Sequence, residues 1–348
     1  MLMTPGPTAV PEPVRDAMSR ELINPDVESE FDELYDQVCE KLADVYGTDD
    51  QLVVTGGEGI LGLESAVACL VDEGTDVLCL SNGLYGDGFA DFVESYGGNA
   101  TVVGTDYDAE LPLSELDDAL AEGDYEVATL VHCETPTGVL NDVEPALERL
   151  HEHGAVTILD AVSSLGGVPV PTEDVDVCLG ASQKCFSAPP GLTTASISER
   201  AWERMAAIDS DSLYTNFLPW RDTSEGFPYT HLSTNVVALD VALDRILDDG
   251  LDTVYERHRT AANRCRERGS AIGLELFAGP ERSSPTVSAF HVPGRAADIQ
   301  ETLDEEYDIT LATGLGPLAD DILRVGHMGH QADVESVERT MDALAEIV

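Results

Sequence analysis

Only two lysines, Lys41 and Lys184, stand among the 18 basic residues of a 348-residue chain whose formal net charge is -49. Arginine serves wherever positive charge alone is wanted, whereas a primary amine that can lose its proton and attack a carbonyl requires lysine. Lys184 follows the apolar run 175–179 and Gly180-Ala181-Ser182-Gln183, and it precedes Ser187-Ala188-Pro189-Pro190-Gly191. That pattern is a strand end opening into a stiff loop. An amine held there is a candidate for Schiff-base chemistry, with an ordinary surface lysine as the alternative. Lys41, beside Glu40 on a polar helix face, suits the surface role.

Three further features could work with such an amine. Gly56-Gly57-Glu58-Gly59-Ile60-Leu61-Gly62 follows a strand and opens a helix, so its free N–H groups and the helix dipole form a cup for an anion such as phosphate. Gly57, Gly59 and Gly62 also fit the G-x-G-x-x-G string of dinucleotide folds, but the next strand ends in Leu80-Ser81-Asn82 without the acid that binds ribose. A third reading gives these glycines only a tight turn. Asp160 ends the strand candidate 156–159, where a carboxylate could hold a protonated pyridine nitrogen or simply cap the following turn. Tyr85 could stack on such a ring or pack as an ordinary loop aromatic. Arg324 ends the strand candidate 322–325 and has the planar fork that grips a carboxylate, unless it lies at the surface.

The elements that must position these groups follow from hydrophobic periodicity. Short apolar runs at 51–55, 76–80, 100–103, 127–133, 156–159, 175–179 and 193–197 alternate with amphipathic stretches at 59–71, 87–96, 113–121 and 143–153. This predicts an α/β fold with a large doubly wound, mostly parallel sheet whose ligand lies beyond the carboxyl ends of its strands. Long helices over 233–247 and 251–268 lead to a smaller α/β lobe with strands at 286–292, 309–312 and 322–325 and helices at 296–305 and 333–347. The divisions are an N-terminal arm (1–20), a large domain (21–250) and a small C-terminal domain (251–348). The arm, with Pro5-Gly6-Pro7-Thr8 and Pro11-Glu12-Pro13, is too rich in proline to begin in regular structure.

Composition sets the outer limits. The 67 acidic residues are spread along the whole chain, predicting an acid-coated surface adapted to high salt, where a Debye length of a few ångströms screens self-repulsion. Nucleic acid and anionic membranes are excluded as partners, since both require basic surface. Seven cysteines at irregular spacing suggest neither disulfides nor a zinc site, no metal is expected, and the chain reads as a soluble, cytoplasmic protein.

The order of these motifs, from the N-terminal Pro5-Gly6-Pro7-Thr8 to Leu323-Arg324-Val325-Gly326, resembles the class V aminotransferases of fold type I, and among them the alanine–glyoxylate and serine–pyruvate branch. The most specific matches are Asp160-Ala161-Val162-Ser163-Ser164-Leu165-Gly166-Gly167 and the stretch from Ser182 to Gly191. The resemblance implies pyridoxal 5′-phosphate bound covalently to Lys184, with Asp160 on the pyridine nitrogen. Tyr85 takes the place of the family's stacking aromatic, and Thr135 falls at a hydroxyl position facing the ring. Gln183 and Glu58-Gly59-Ile60 fall on phosphate contacts. Thr234, together with Tyr229, would reach the phosphate of a neighbouring subunit, which implies a homodimer with shared active sites. Arg324 would bind the substrate carboxylate. Small amino acids and 2-oxo acids are the implied substrates, exchanged in a ping-pong transamination.

Glu58 departs from the family, which often has serine there; a carboxylate facing a phosphate is repelled, so Glu58 is expected to turn away and cap the helix. Competing assignments are a lyase or cysteine desulfurase of the same fold, which needs a reactive small-lobe cysteine although none follows Cys265, and a nicotinamide oxidoreductase built on the Gly57–Gly62 turn.

Overall fold

The β-branched runs between residues 51 and 197 pair into one seven-stranded sheet in the computed structural model, which describes residues 1–348. Across the sheet lie Gln51–Gly56, Leu192–Ile197, Val177–Ala181, Val156–Asp160, Val127–Val131, Asp76–Ser81 and Asn99–Gly104. The strands from Val177–Ala181 to Asn99–Gly104 are parallel, and Leu192–Ile197 opposes both of its neighbours. Val127–Val131 and Val156–Asp160 are buried at every position, as expected where helices cover both faces. Gly56, Ser81, Val131, Asp160 and Ala181 therefore end their strands on one rim.

Helix Gly59–Leu70 starts at that rim and buries Leu63, Ala66, Val67 and Leu70. A fully buried Leu or Val contributes about 1.5–3 kcal/mol, so the turn preceding this helix rests on a firmly anchored element. Helices Ser233–Asp249 and Leu251–Ala271 meet at Gly250 and lead to a four-stranded antiparallel sheet ordered Glu275–Leu276, Val287–His291, Ile322–Gly326, Ala312–Thr313. A second core around Phe290, Ile299, Leu323 and Met341 lies beneath that sheet.

The arm begins outside helix and named strand, as expected, and its first helix is Glu12–Ala17, because proline is compatible with a first helical turn, where its missing N–H has no intrahelical partner. Three local expectations are corrected. The run 127–133 is not one strand: it divides after Val131, and Cys133–Glu134 turns aside to pair with Val139–Leu140. Residues 309–312 do not form the small-lobe strand, since Thr310 bridges to Leu2 of the arm and only Ala312–Thr313 joins the sheet. The helix expected at 87–96 begins at Leu84, capped by a group distant in sequence, as described below.

Candidate active site

The strand Val177–Ala181 delivers Lys184 to the rim through a loop locked by its own hydrogen bonds. Ser182 Oγ donates to Pro189 O (2.6 Å), and the backbone N–H of Ser182 donates to Leu192 O (3.0 Å). From the arm, Thr8 N–H donates to Gln183 O (3.0 Å) and Thr8 Oγ1 to Lys184 O (2.9 Å). Lys184 Nζ donates to Pro5 O (2.9 Å). Burial, and then the Arg324 guanidinium, lower the pKa of this amine, while Asp160 pulls it back up.

Around the amine lies a cavity of about 230 Å³. Of the residues expected at the site, Glu58, Gly59, Ile60, Tyr85, Thr135, Asp160, Gln183 and Lys184 all line it. Asp160 is buried, and its Oδ1 accepts the Val162 N–H at 2.9 Å. It thus both caps the turn after its strand and faces the cavity. Burial raises its pKa to about 6, against the lowering effects of the Val162 N–H and Lys184. The pKa of Tyr85 is raised by burial and by Asp160, with Arg324 opposing. Thr135 hydrogen-bonds Ser163, which shares the cavity wall. Glu58 caps helix Gly59–Leu70 as expected, its Oε2 accepting the Ile60 N–H at 3.3 Å, yet it remains on the cavity wall.

Two expected residues lie elsewhere. Arg324 is buried outside the cavity lining, behind Thr135, with Nε donating to Thr313 O (2.6 Å) and Nη1 to Thr135 O (3.4 Å). Burial lowers its pKa to about 10. Thr234, the second residue of helix Ser233–Asp249, is half-buried and does not line the cavity of its own chain. Its neighbour Tyr229 accepts the Gly56 N–H at 2.9 Å, beside the Gly-rich turn.

Sequence reasoning missed four contributing residues. Gly6 and Pro7 of the arm form part of the cavity wall, although the proline-flanked glycine at Pro5-Gly6-Pro7 was a visible signal. Ser163 sits in the quoted Asp160–Gly167 motif. Glu134 is wholly buried, and its Oε1 and Oε2 accept the N–H groups of Gly86 (2.8 Å) and Tyr85 (3.2 Å). It thereby caps the helix that carries Tyr85. Burial raises its pKa to about 7, and these two N–H groups oppose that rise. A side chain on Gly83 would overlap Glu134, with its Cβ 2.1 Å from Cδ, so the close approach requires glycine.

The family model for class-V aminotransferases matches residues 1–338. The chain belongs to the class V aminotransferase family. It is 33% identical over 94% of its length to an uncharacterised aminotransferase of Methanocaldococcus jannaschii, covering 88% of that protein. It is 31% identical over 95% of its length to the pyridoxamine–pyruvate transaminase of Mesorhizobium japonicum, covering 86% of it. The crystal structure of an alanine–glyoxylate aminotransferase from Nostoc superposes with a TM-score of 0.94 at 28% identity, covering 99% of this chain and 94% of that one.

The protein is accordingly an enzyme of fold type I that exchanges amino groups between amino acids and 2-oxo acids, and the family implies pyridoxal 5′-phosphate. The oxidoreductase assignment of the Gly57–Gly62 turn is set aside in favour of transamination. A desulfurase finds no thiol here: all cysteines after Cys39 are buried, and burial raises the Cys185 thiol well above its ordinary value. No helix is long and apolar enough to cross a membrane.

The wall chemistry fits a pyridine ring well. Lys184 supplies an amine, Asp160 an anion for the ring nitrogen, and Tyr85 an aromatic face. Gln183 Oε1 is buried without a partner in the protein, a cost that a polar ligand would relieve. At the Gly-rich turn, however, the Ile60 N–H that a phosphate would use is held by Glu58.

Proposed function

We propose that the aminotransferase moves the amino group of a small amino acid, such as alanine or serine, to a 2-oxo acid such as glyoxylate or pyruvate, in two half-reactions through Lys184. The observation that carries this reading is the pair formed by Lys184 and Asp160 on one cavity wall, backed by Arg324, a buried arginine with no carboxylate partner. A guanidinium taken out of water without a counter-ion is costly unless a ligand carboxylate completes it. Nε and Nη1 hold the fork in place against backbone carbonyls, leaving Nη2 for the substrate.

Bound pyridoxal 5′-phosphate would supply an electron sink for the bond broken at the substrate α-carbon. Within the chain, Asp160 would keep the ring nitrogen protonated, and Tyr85 would cover one ring face. Lys184, its pKa lowered by burial and by Arg324, would act as the base that takes the proton from the substrate α-carbon. Thr135, joined to Ser163, would orient the ring edge. Gln183, whose Oε1 lacks a partner in the protein, and the Gly59 backbone would face the far end of the cofactor. The relatives' names, with pyruvate and glyoxylate as acceptors, support the choice of small substrates.

The reading extends to assembly and setting. A homodimer is supported by the apolar surface beside the turn: Ile60, Tyr214 and Leu232 are 38%, 58% and 44% exposed, and Tyr214 packs on Tyr229 at 4.8 Å between ring centroids. Thr234 would then serve the neighbouring site. The divisions 1–20, 21–250 and 251–348 are supported by the two cores and by the break at Gly250. A salt-rich cytoplasm is supported by the net charge of -49.

The test is a donor and acceptor assay in concentrated KCl, with Lys184→Arg as control. The variant should fold normally and lose on the order of 10³-fold in turnover, because arginine keeps the charge but neither bonds nor transfers the proton. Retained turnover in that variant would remove Lys184 from the reaction.

A further inference from the structure

The part of the cavity that should hold a dianion is acidic. Glu58 lines it at the first turn of helix Gly59–Leu70, and its carboxylate already occupies the Ile60 N–H. The N–H groups on either side are committed too: Gly57 N–H donates to Gly191 O (2.8 Å) and Leu61 N–H to Glu58 O (2.9 Å). Lys184 is the only cation on the cavity wall; no arginine or histidine lines it. Nor would a second subunit mend this through the segment assigned to it, since Tyr229-Thr230-His231-Leu232-Ser233-Thr234 contains no lysine or arginine. His231 in that segment is buried against Val54 O (3.0 Å).

A phosphate dianion placed here would meet the Glu58 carboxylate and an Ile60 N–H that is already taken, with Lys184 as the one cation on the wall. A hydroxymethyl group would instead donate its O–H to Glu58 in a charge-assisted hydrogen bond. Lys184, Asp160 and Tyr85 would meet C4′, the ring nitrogen and a ring face, which the phosphorylated and dephosphorylated compounds share.

We propose that Glu58 selects the dephosphorylated pyridine, and that this aminotransferase accepts free pyridoxamine as an amino donor, with a 2-oxo acid as acceptor and pyridoxal as product. The inference rests on the transamination reading of the Lys184 cavity. The exchange balances without an outside redox partner. The C4′–N bond of pyridoxamine breaks and a C–N bond to C2 of the oxo acid forms. C4′ is oxidised from amine to aldehyde, C2 is reduced from ketone to amine, and the oxo acid's oxygen passes to the aldehyde by way of water. Lys184 carries the proton from C4′ to C2, and Arg324, behind Thr135, is the buried guanidinium toward which the oxo-acid carboxylate would turn.

The experiment compares ligand binding and turnover separately. Protein freed of pyridine compounds is titrated in concentrated KCl with pyridoxal and with pyridoxal 5′-phosphate, followed by absorbance and calorimetry. Wild type should bind pyridoxal at least tenfold more tightly, and Glu58→Ser and Glu58→Gln should each move the ratio at least tenfold toward the phosphorylated form. In turnover, wild type should consume pyridoxamine with pyruvate or glyoxylate. A wild-type preference for the phosphorylated compound, or a ratio that neither substitution moves, overturns the proposal. If wild type is inert to pyridoxamine but transaminates amino acids with pyridoxal 5′-phosphate, this inference falls and the broader reading stands. Inactivity in both assays would sink both.

Discussion

Gly6 lies so close to Lys184 that a Cβ placed on it would stand 2.6 Å from the amine nitrogen, while the neighbouring Pro5 carbonyl accepts that amine's hydrogen bond at 2.9 Å. The N-terminal arm is therefore a wall of the Lys184 cavity. Gly6 also has φ +117, a conformation that side-chain-bearing residues rarely adopt.

Gly6→Ala should accordingly cost about 1–3 kcal/mol in stability through backbone strain, and displace the lysine. Turnover is expected to fall by more than the loss of folded protein explains. Thermal unfolding and steady-state kinetics on the same preparation separate the two; a fully active Gly6→Ala enzyme would show that the arm does not confine the amine.

Asp160 predicts a trade of stability for chemistry. Its folded pKa of about 6 lies above its ordinary 3.8, so the folded protein binds the extra proton and loses stability as pH rises through this window. The full cost at pH 7, roughly 3 kcal/mol, should be recovered in ligand-free Asp160→Asn. Glu134, raised from 4.5 to about 7, extends the decline toward neutrality. Unfolding midpoints at fixed high salt should thus fall from pH 4.5 to 7 in wild type and be higher at pH 7 in the variant, whose transamination is nearly abolished. An unchanged or lower midpoint in Asp160→Asn would contradict the assignment.

Leu232, 44% exposed beside Gly56 and Gly191, marks the surface at which a second subunit should sit. Leu232→Glu places a charge in that contact and should convert dimer to monomer in sedimentation experiments, with activity lost in parallel. Sedimentation of wild type as an active monomer would refute the shared site.

The charge of -49 should make the fold depend on salt. Lowering KCl from about 2 M to 0.1 M lengthens the Debye length from a few to about 10 Å, and the acid-coated surface then repels itself. Circular dichroism should report unfolding on dialysis and recovery when salt is restored. Equal stability at both concentrations would show that the acidic surface is not a salt adaptation.

Much of this enzyme was legible in its residues. The alternation of apolar runs and amphipathic stretches dictates the parallel sheet, because a strand buried on both faces has to be apolar throughout, as Val127–Val131 is. Lys184 stood out because a nearly lysine-free chain had kept it, and Asp160 because it ends a strand on the rim where ligands bind. What only tertiary structure decided depends on contacts between residues far apart in sequence. Glu134 caps the helix of Tyr85 from 48 residues away, and Pro5 receives the amine from 179 away. Arg324 reads as a carboxylate-binding fork in the sequence, but only packing shows its Nε and Nη1 fastened to Thr313 and Thr135. Glu58 is the instructive case: its helix-capping bond follows from local sequence, whereas having Lys184 as the one cation on the cavity wall depends on which side chains the fold brings there. Local chemistry sets what each residue can do, and chain packing sets which residues meet.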